Sequence, residues 1–270
     1  MIEPLLGDEA LLEDMETARG EAGVHLWWLG QSGYLVQHEG RHLLLDPYLS
    51  DSLTRKYEAT DRPHVRMTRR VVDPARLGFV DVVTASHGHT DHLDPETLGP
   101  IVAARGRLSL VCPEEMAALA RERAGVEPVT LRDGERVRLA SFELERVPAA
   151  HEELSDDVAG FVVTCGRHRI YHAGDTVWHD SVVERVRPHE VTVALLPING
   201  RSPGRGVAGN LDGREAARLA LAVGAHLAVP MHYELFEFNT ASPDAFVREA
   251  ERLGQPYRLL RAGERLTLAP

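Results

Sequence analysis

Asp81-Val82-Val83-Thr84-Ala85-Ser86-His87-Gly88-His89-Thr90-Asp91-His92 is an apolar run that stops at three imidazoles and a carboxylate. A buried strand ending in such a cluster delivers several metal-capable groups into one small volume. Divalent-metal chemistry is therefore the leading reading, and a polar surface loop the plain alternative. Other His and Asp residues fall where a metal site needs them, which favours the first.

Outward from this stretch, the same order of elements occurs twice. Gly33-Tyr34-Leu35-Val36-Gln37 and Leu43-Leu44-Leu45-Asp46 flank a turn containing Gly40-Arg41-His42. Later, Gly160-Phe161-Val162-Val163-Thr164 and Arg169-Ile170-Tyr171-His172 flank Gly166-Arg167-His168, and the second strand runs on to Asp175. Each hairpin reads as two strands around a turn. The next strand, at residues 82–85, has its counterpart at residues 191–196, and each ends in a polar loop, the second being Pro197-Ile198-Asn199-Gly200-Arg201. Helices are expected from Asp94-Pro95-Glu96, with an Asp cap and Pro in the first turn, and from Asp212-Gly213-Arg214-Glu215, which has the form of a capping box. Each leads to an apolar strand with a proline, at residues 108–113 and 227–230. Two similar halves of this kind predict an α/β fold, a four-layer αββα sandwich in which sheet packs on sheet with helices outside.

Residues 1–270 read as a single domain. A helix is expected near the N-terminus, over about 1–20, from Leu5, Leu6, Ala10, Leu11, Leu12 and Met15. Residues 48–76 lack periodicity and read as an irregular loop that covers the site or lies on the surface. Ser242-Pro243 starts a helix at 244–253, and Tyr257-Arg258-Leu259-Leu260 is expected to be the last strand.

A net charge of -11 argues against non-specific nucleic-acid binding, because both partners would be negative. Lys56 is the only lysine among 30 basic residues. Met1-Ile2-Glu3-Pro4 lacks the basic end and apolar core of a secretory signal, and no segment has the length of a membrane span, so a cytoplasmic protein is expected. Cys112 and Cys165 lie far apart and are expected to be reduced thiols. The expected partner is a small-molecule substrate, not nucleic acid or membrane, and a homo-oligomer stays open.

His151 follows Leu144-Glu145-Arg146-Val147-Pro148, Asp175 follows Tyr171-His172-Ala173-Gly174, and His232 follows Val229-Pro230-Met231. With the first cluster they make seven ligands, enough for two metals: His87, His89 and His151 for one, Asp91, His92 and His232 for the other, Asp175 bridging. Coordination positions left open for water and substrate mark a catalytic site. Imidazole and carboxylate without thiolate suit Zn or Mn, with Fe also admissible. Two such ions bring the pKa of a shared water toward about 7, making hydroxide available as a nucleophile, with Asp91 and Asp175 the carboxylates of the catalytic centre. Asp46 is a candidate to orient a ligand imidazole from behind. His172, Trp178 and His179 are candidate wall residues, and Tyr233, His172 and solvent are the candidate proton donors to the leaving group.

These residues resemble the metallo-β-lactamase superfamily over roughly residues 24–234. The resemblance implies the αββα fold with a metal site at one edge and the same two-metal assignment. Asp175 stands where the antibiotic-hydrolysing branch has a cysteine, which points away from that branch. Trp28-Leu29-Gly30-Gln31-Ser32-Gly33, Leu196-Pro197-Ile198-Asn199-Gly200-Arg201, Gly209-Asn210 and Pro230-Met231-His232-Tyr233-Glu234-Leu235-Phe236-Glu237-Phe238-Asn239 are similar to the L-ascorbate-6-phosphate lactonase group. That resemblance implies the opening of a sugar-acid lactone by metal-bridging hydroxide. Asn199, Arg201, Asn210, Tyr233 and Asn239, in loops beside the ligands, are the candidate substrate-binding residues, Arg201 as a fork for phosphate or carboxylate. The competing functions are a phosphodiesterase or nuclease on the same ligands, an iron-dependent oxygenase, and a metal-binding protein without turnover.

Overall fold

The repeat in the sequence is a repeat in space. In the computed structural model, which describes residues 1–205 and 209–270, one sheet holds β1 (Val24–Gly30), β2 (Gly33–His38), β3 (Arg41–Leu45), β4 (Val82–Thr84), β5 (Ser109–Pro113) and β6 (Val129–Leu131). The other holds β7 (Arg136–Leu139), β8 (Phe142–His151), β9 (Glu153–Cys165), β10 (His168–His172), β11 (Val193–Pro197) and β12 (Leu227–Met231). A last strand, β13 (Arg265–Leu268), returns to the first sheet, giving the orders β13-β1-β2-β3-β4-β5-β6 and β12-β11-β10-β9-β8-β7. In the first half β1, β2 and β3 run antiparallel and β3, β4 and β5 parallel. In the second, β8, β9 and β10 run antiparallel and β10, β11 and β12 parallel. The two halves share one topology.

Alternation along the strands explains why helices are needed outside. Val24, Leu26 and Trp28 of β1, with Tyr34, Val36, Leu43 and Leu45, join the core shared with the second sheet. Their neighbours Trp27, Leu29, Leu35 and Leu44 face the opposite way. That outer face is covered by α1 (Asp8–Ala18), α3 (Pro95–Arg105) and α4 (Ala117–Ala124) through Leu11, Met15, Leu98, Ile101 and Ala120. Between α1 and α3 lies the short α2 (Ser52–Tyr57), inside the stretch expected to be irregular. On the second sheet, α5 (Asp180–Val186) packs on β8, and α6 (Gly213–Ala222) packs on β11, β12 and α7 (Asp244–Leu253). Burying about 25 cal/mol per Å² of apolar surface on both faces of each sheet is what drives the four layers together.

The expected helix starts are present in atomic detail. The Asp94 side chain accepts from Glu96 N–H ahead of Pro95, and Asp212 and Glu215 form a complete capping box. The expected strand at residues 257–260 is not one. Tyr257 makes a single bridge to Ala228, after which the chain turns at Arg261 and Gly263 and pairs β13 with β1. β-Propensity favoured the earlier segment, but the open hydrogen-bonding edge of β1 takes the later one. No helix among the described residues is long and apolar enough to cross a membrane.

Candidate metal centre

The C-terminal ends of strands from both halves converge at one edge. β4 leads into the loop with His87, His89, Asp91 and His92; β8 ends at His151; β10 leads to Asp175; β12 leads to His232. The second half is tied to the loop by Ala159 N–H donating to Ser86 O at 2.9 Å. Gly174 must be glycine there: its φ is +61°, and a Cβ would lie 2.6 Å from Ala159 O. This close approach sets Asp175 between the halves.

All seven expected ligands come together. One ligand atom each from His87, His89 and His151 fall within 4.8 Å of one another, as do those of His87, His92 and Asp175, and of Asp91, His92 and His232. Asp175 spans the groups: its Oδ1 is 3.3 Å from His92 Nε2 and its Oδ2 is 3.3 Å from His232 Nε2. His232 Nε2 is 3.7 Å from Asp91 Oδ2, and His151 Nε2 is 3.2 Å from His89 Nδ1. His87 Nε2, His92 Nε2 and Asp175 Oδ1 are buried without a hydrogen-bond partner among the described residues. Buried polar atoms are rarely left so. Aimed at one another, these atoms fit a cation that would satisfy them all.

Electrostatics separates the two groups. Burial pushes the His87 and His151 imidazoles below their usual range, so they are neutral and ready to ligate. Burial acts the same way on His92 but is outweighed by the Asp175 and Asp91 carboxylates, which hold its pKa well above the usual range. Asp175 is correspondingly held well below the carboxylate range, burial notwithstanding, by His232 and His92.

Behind the ligands stand residues that aim them. Asp46 Oδ2 is 2.8 Å from His92 Nδ1, which fixes the His92 proton on that side and turns Nε2 inward. Asp46 in turn accepts from Ser86 N–H at 3.0 Å and Thr84 Oγ1 at 3.1 Å, while Ser86 Oγ reaches His87 Nδ1 at 3.1 Å. Gln31, which sequence reasoning did not single out, donates to Asp91 Oδ2 at 2.7 Å. Gln31, Asp46 and His232 all have positive φ, of +51°, +40° and +62°. Left-handed backbone at three non-glycine positions beside one site is strain stored where function needs it. We expect Asp46→Asn to lower affinity for the ion on the His92 side by roughly 10- to 100-fold. Calorimetric titration of the metal-free variant checks this, and unchanged affinity would remove Asp46 from the site.

His89, Asp91, His151, Asp175 and His232 line a cavity of about 240 Å³, together with Leu53, Tyr57, His64, Phe236 and Phe238 and with Lys56, Arg123 and Asn239. The stretch at 48–76 therefore does border the site. Of the expected substrate residues only Asn239 lines the cavity. Asn199 and Asn210 are buried behind it, with Asn199 donating to Asn239 Oδ1 at 2.9 Å. Arg201 is instead committed to Glu215, its Nη1 2.8 Å from Oε2, where it braces the cap of α6. Tyr233 is turned away because the left-handed His232 reverses the chain. Its ring packs on Trp28 at 4.7 Å and its hydroxyl donates to Leu260 O at 2.9 Å. His172 donates to Ser32 O at 2.8 Å and His179 pairs with Ser181 Oγ at 3.0 Å; neither lines the cavity, nor does Trp178. Tyr233 and His172 are thereby removed as proton donors. Cys112 and Cys165 are buried free thiols.

The protein is thus a sandwich of two like-wound halves with a His/Asp cluster able to bind metal where their strands end. The sequence profile of the beta-lactamase superfamily domain matches residues 41–233. A UPF0173 metal-dependent hydrolase from Methanopyrus kandleri is 30% identical over 241 residues, which cover 86% of this chain and 93% of the relative. This chain belongs to the metallo-β-lactamase superfamily. Among solved structures, a metallo hydrolase from the archaeon Ignicoccus hospitalis aligns with a TM-score of 0.69 at 22% identity, covering 92% of this chain and all (100%) of the other. The isothiocyanate hydrolase from Delia radicum gut bacteria aligns with a TM-score of 0.75 at 20% identity, over 91% of this chain and 99% of its own. At such identities the likeness concerns the fold alone.

Proposed function

We propose that the protein hydrolyses a small molecule at an ester-type bond, most simply the ring bond of a lactone such as that of a sugar acid, with two divalent ions, Zn or Mn, at the His/Asp cluster. The observation that carries this reading is Asp175 lying 3.3 Å from ligand atoms of both His92 and His232 while sharing a ligand group with His87. His87, His89 and His151 would hold one ion and Asp91, His92 and His232 the other, with Asp175 within reach of both groups. Ions bound there would supply a water acidic enough to act as nucleophile near neutral pH and would polarise a carbonyl oxygen. Asp46 holds the His92 ring, and Gln31 holds Asp91, so that neither reorganises during the reaction. A cavity of about 240 Å³ suits a small substrate, and is below the roughly 300–1,000 Å³ of drug-sized pockets. That size, with a net charge of -11, favours a small molecule over a nucleic-acid strand.

The test is metal content followed by turnover of the same preparation on sugar-acid lactones, phosphorylated sugar lactones and phosphodiesters. Zinc or manganese near two per chain with lactone opening supports the proposal. Preference for phosphodiesters would overturn the lactonase reading, and iron with oxygen uptake would overturn hydrolysis.

A further inference from the structure

Outside the ligand set, the cavity contrasts with the rest of the molecule. The chain carries 41 acidic residues, yet the only carboxylates lining the cavity among the described residues are the ligands Asp91 and Asp175. Its other charged lining groups are cations, Lys56 and Arg123. Neither forms an ion pair among the described residues, whereas Arg55 beside Lys56 pairs with Glu96. Arg123 is anchored at the rim by donating to Gly88 O at 2.7 Å and Leu93 O at 3.2 Å. Lys56, the sole lysine, sits with its Nζ 5.1 Å from the centre of the Tyr57 ring.

Asn239 adds a donor of fixed polarity. Arg205 Nη1 is 3.4 Å from its side-chain oxygen, and a guanidinium only donates, so the atom facing it is Oδ1. Asn199 also donates to that oxygen at 2.9 Å, and its own oxygen accepts from Asn210 Nδ2 at 3.0 Å. With Oδ1 engaged twice, the Nδ2 group is what Asn239 has left for the cavity. The apolar side is built of aromatic rings set at angles. His64 stacks on Tyr57 at 4.2 Å and 15° and packs against Phe238 at 4.3 Å and 52° and Phe236 at 5.2 Å and 69°. This wall is held by backbone bonds between the two loops, Met67 N–H to Leu235 O at 2.7 Å and Glu237 N–H to Val65 O at 3.0 Å.

We infer that the substrate is a small organic anion with an apolar portion: Lys56 receives a carboxylate or phosphate group, Asn239 Nδ2 donates to a further oxygen, and the Tyr57, His64, Phe236 and Phe238 rings take the apolar part. Among the lactones proposed above this favours those that carry a carboxylate or phosphate group, since a neutral one would leave Lys56 and Arg123 without a counter-charge. The inference rests on the proposed metal-site reading for where the reacting bond lies, but its binding chemistry does not depend on the bond being a lactone.

The experiment is calorimetric binding of benzoate, phenyl phosphate and neutral benzamide to the metal-loaded protein and to its Lys56→Met and Asn239→Asp variants, beside the lactone assay. One of the two anions is expected to bind at least about tenfold tighter than benzamide, as for a charge-assisted hydrogen bond. Which anion leads distinguishes carboxylate from phosphate. Lys56→Met is expected to lose that preference, which direct attraction of anions to the ions alone would leave in place. Asn239→Asp is expected to weaken both anions by about tenfold or more, because a donor becomes a second negative charge. Benzamide binding as tightly as the anions, or Lys56→Met keeping the full preference, overturns the inference. Lactone opening without charge preference sinks this inference and spares the hydrolase reading. Lys56-dependent anion binding without lactone opening does the reverse.

Discussion

Asp175→Asn is expected to lower hydrolysis by roughly a thousandfold or more while leaving the protein folded. Asparagine fills the same volume, so the core does not open a cavity and the backbone at Gly174 keeps its close approach to Ala159. What is lost is the single charged group that reaches both His92 and His232 at 3.3 Å. The Asp91 carboxylate stands farther off, 3.8 Å from His92 and 3.7 Å from His232, and does not take its place. The measurements are turnover on the best substrate of the lactone panel, metal per chain, and thermal melting. Loss of activity with less than two metals per chain and a cooperative melt is the expected combination. Full activity in the variant would mean that the centre does not work through Asp175.

Removing metal with a chelator is expected to abolish turnover and to lower the melting temperature. A ligand that binds only the folded state at a thousandfold excess over its Kd stabilises by about 4 kcal/mol. In a chain of this size that corresponds to roughly 10 °C. The pH dependence follows from His92. In the metal-free protein its proton is held above the usual imidazole range, against the cost of burial, by Asp175 and Asp91. An ion must displace that proton, so affinity on the His92 side falls as pH falls and binding releases a proton. His87 and His151 are pushed the other way by burial, so neither contributes a proton to release on their side. Titration in buffers of different ionisation enthalpy separates the two phases. Uptake with no proton release at any pH would contradict this account of the site.

The His/Asp cluster was legible in the sequence because imidazole and carboxylate at strand ends have few other uses, and the shared order of elements placed those ends together. Side-chain direction was not legible. Whether Tyr233 faces the site depends on the left-handed φ of His232, which no pattern of residue types announces. Gln31 was hidden for a similar reason: its role comes from a turn with φ of +51° between β1 and β2 that brings it to Asp91, 60 residues away. Lys56 stood out by composition alone, but only the packing of residues 48–76 against the loop after His232 gave it a place. Arg201 looked like an anion fork because free arginines are; the capping box of α6 put Glu215 within its reach.

The pairing of β13 with β1 has a consequence for how the molecule is made. Val24 meets Leu268, so the edge of the first sheet is closed by residues more than two hundred positions later. Contacts of such sequence separation form late, since a long loop must close before they are rewarded. During synthesis β1 would wait with an exposed hydrogen-bonding edge, open to pairing with another nascent chain. His232 also emerges late, so a complete ligand set arises only as the first sheet becomes ready to close. Deleting the segment after α7 is therefore expected to show itself as aggregation before any loss of chemistry.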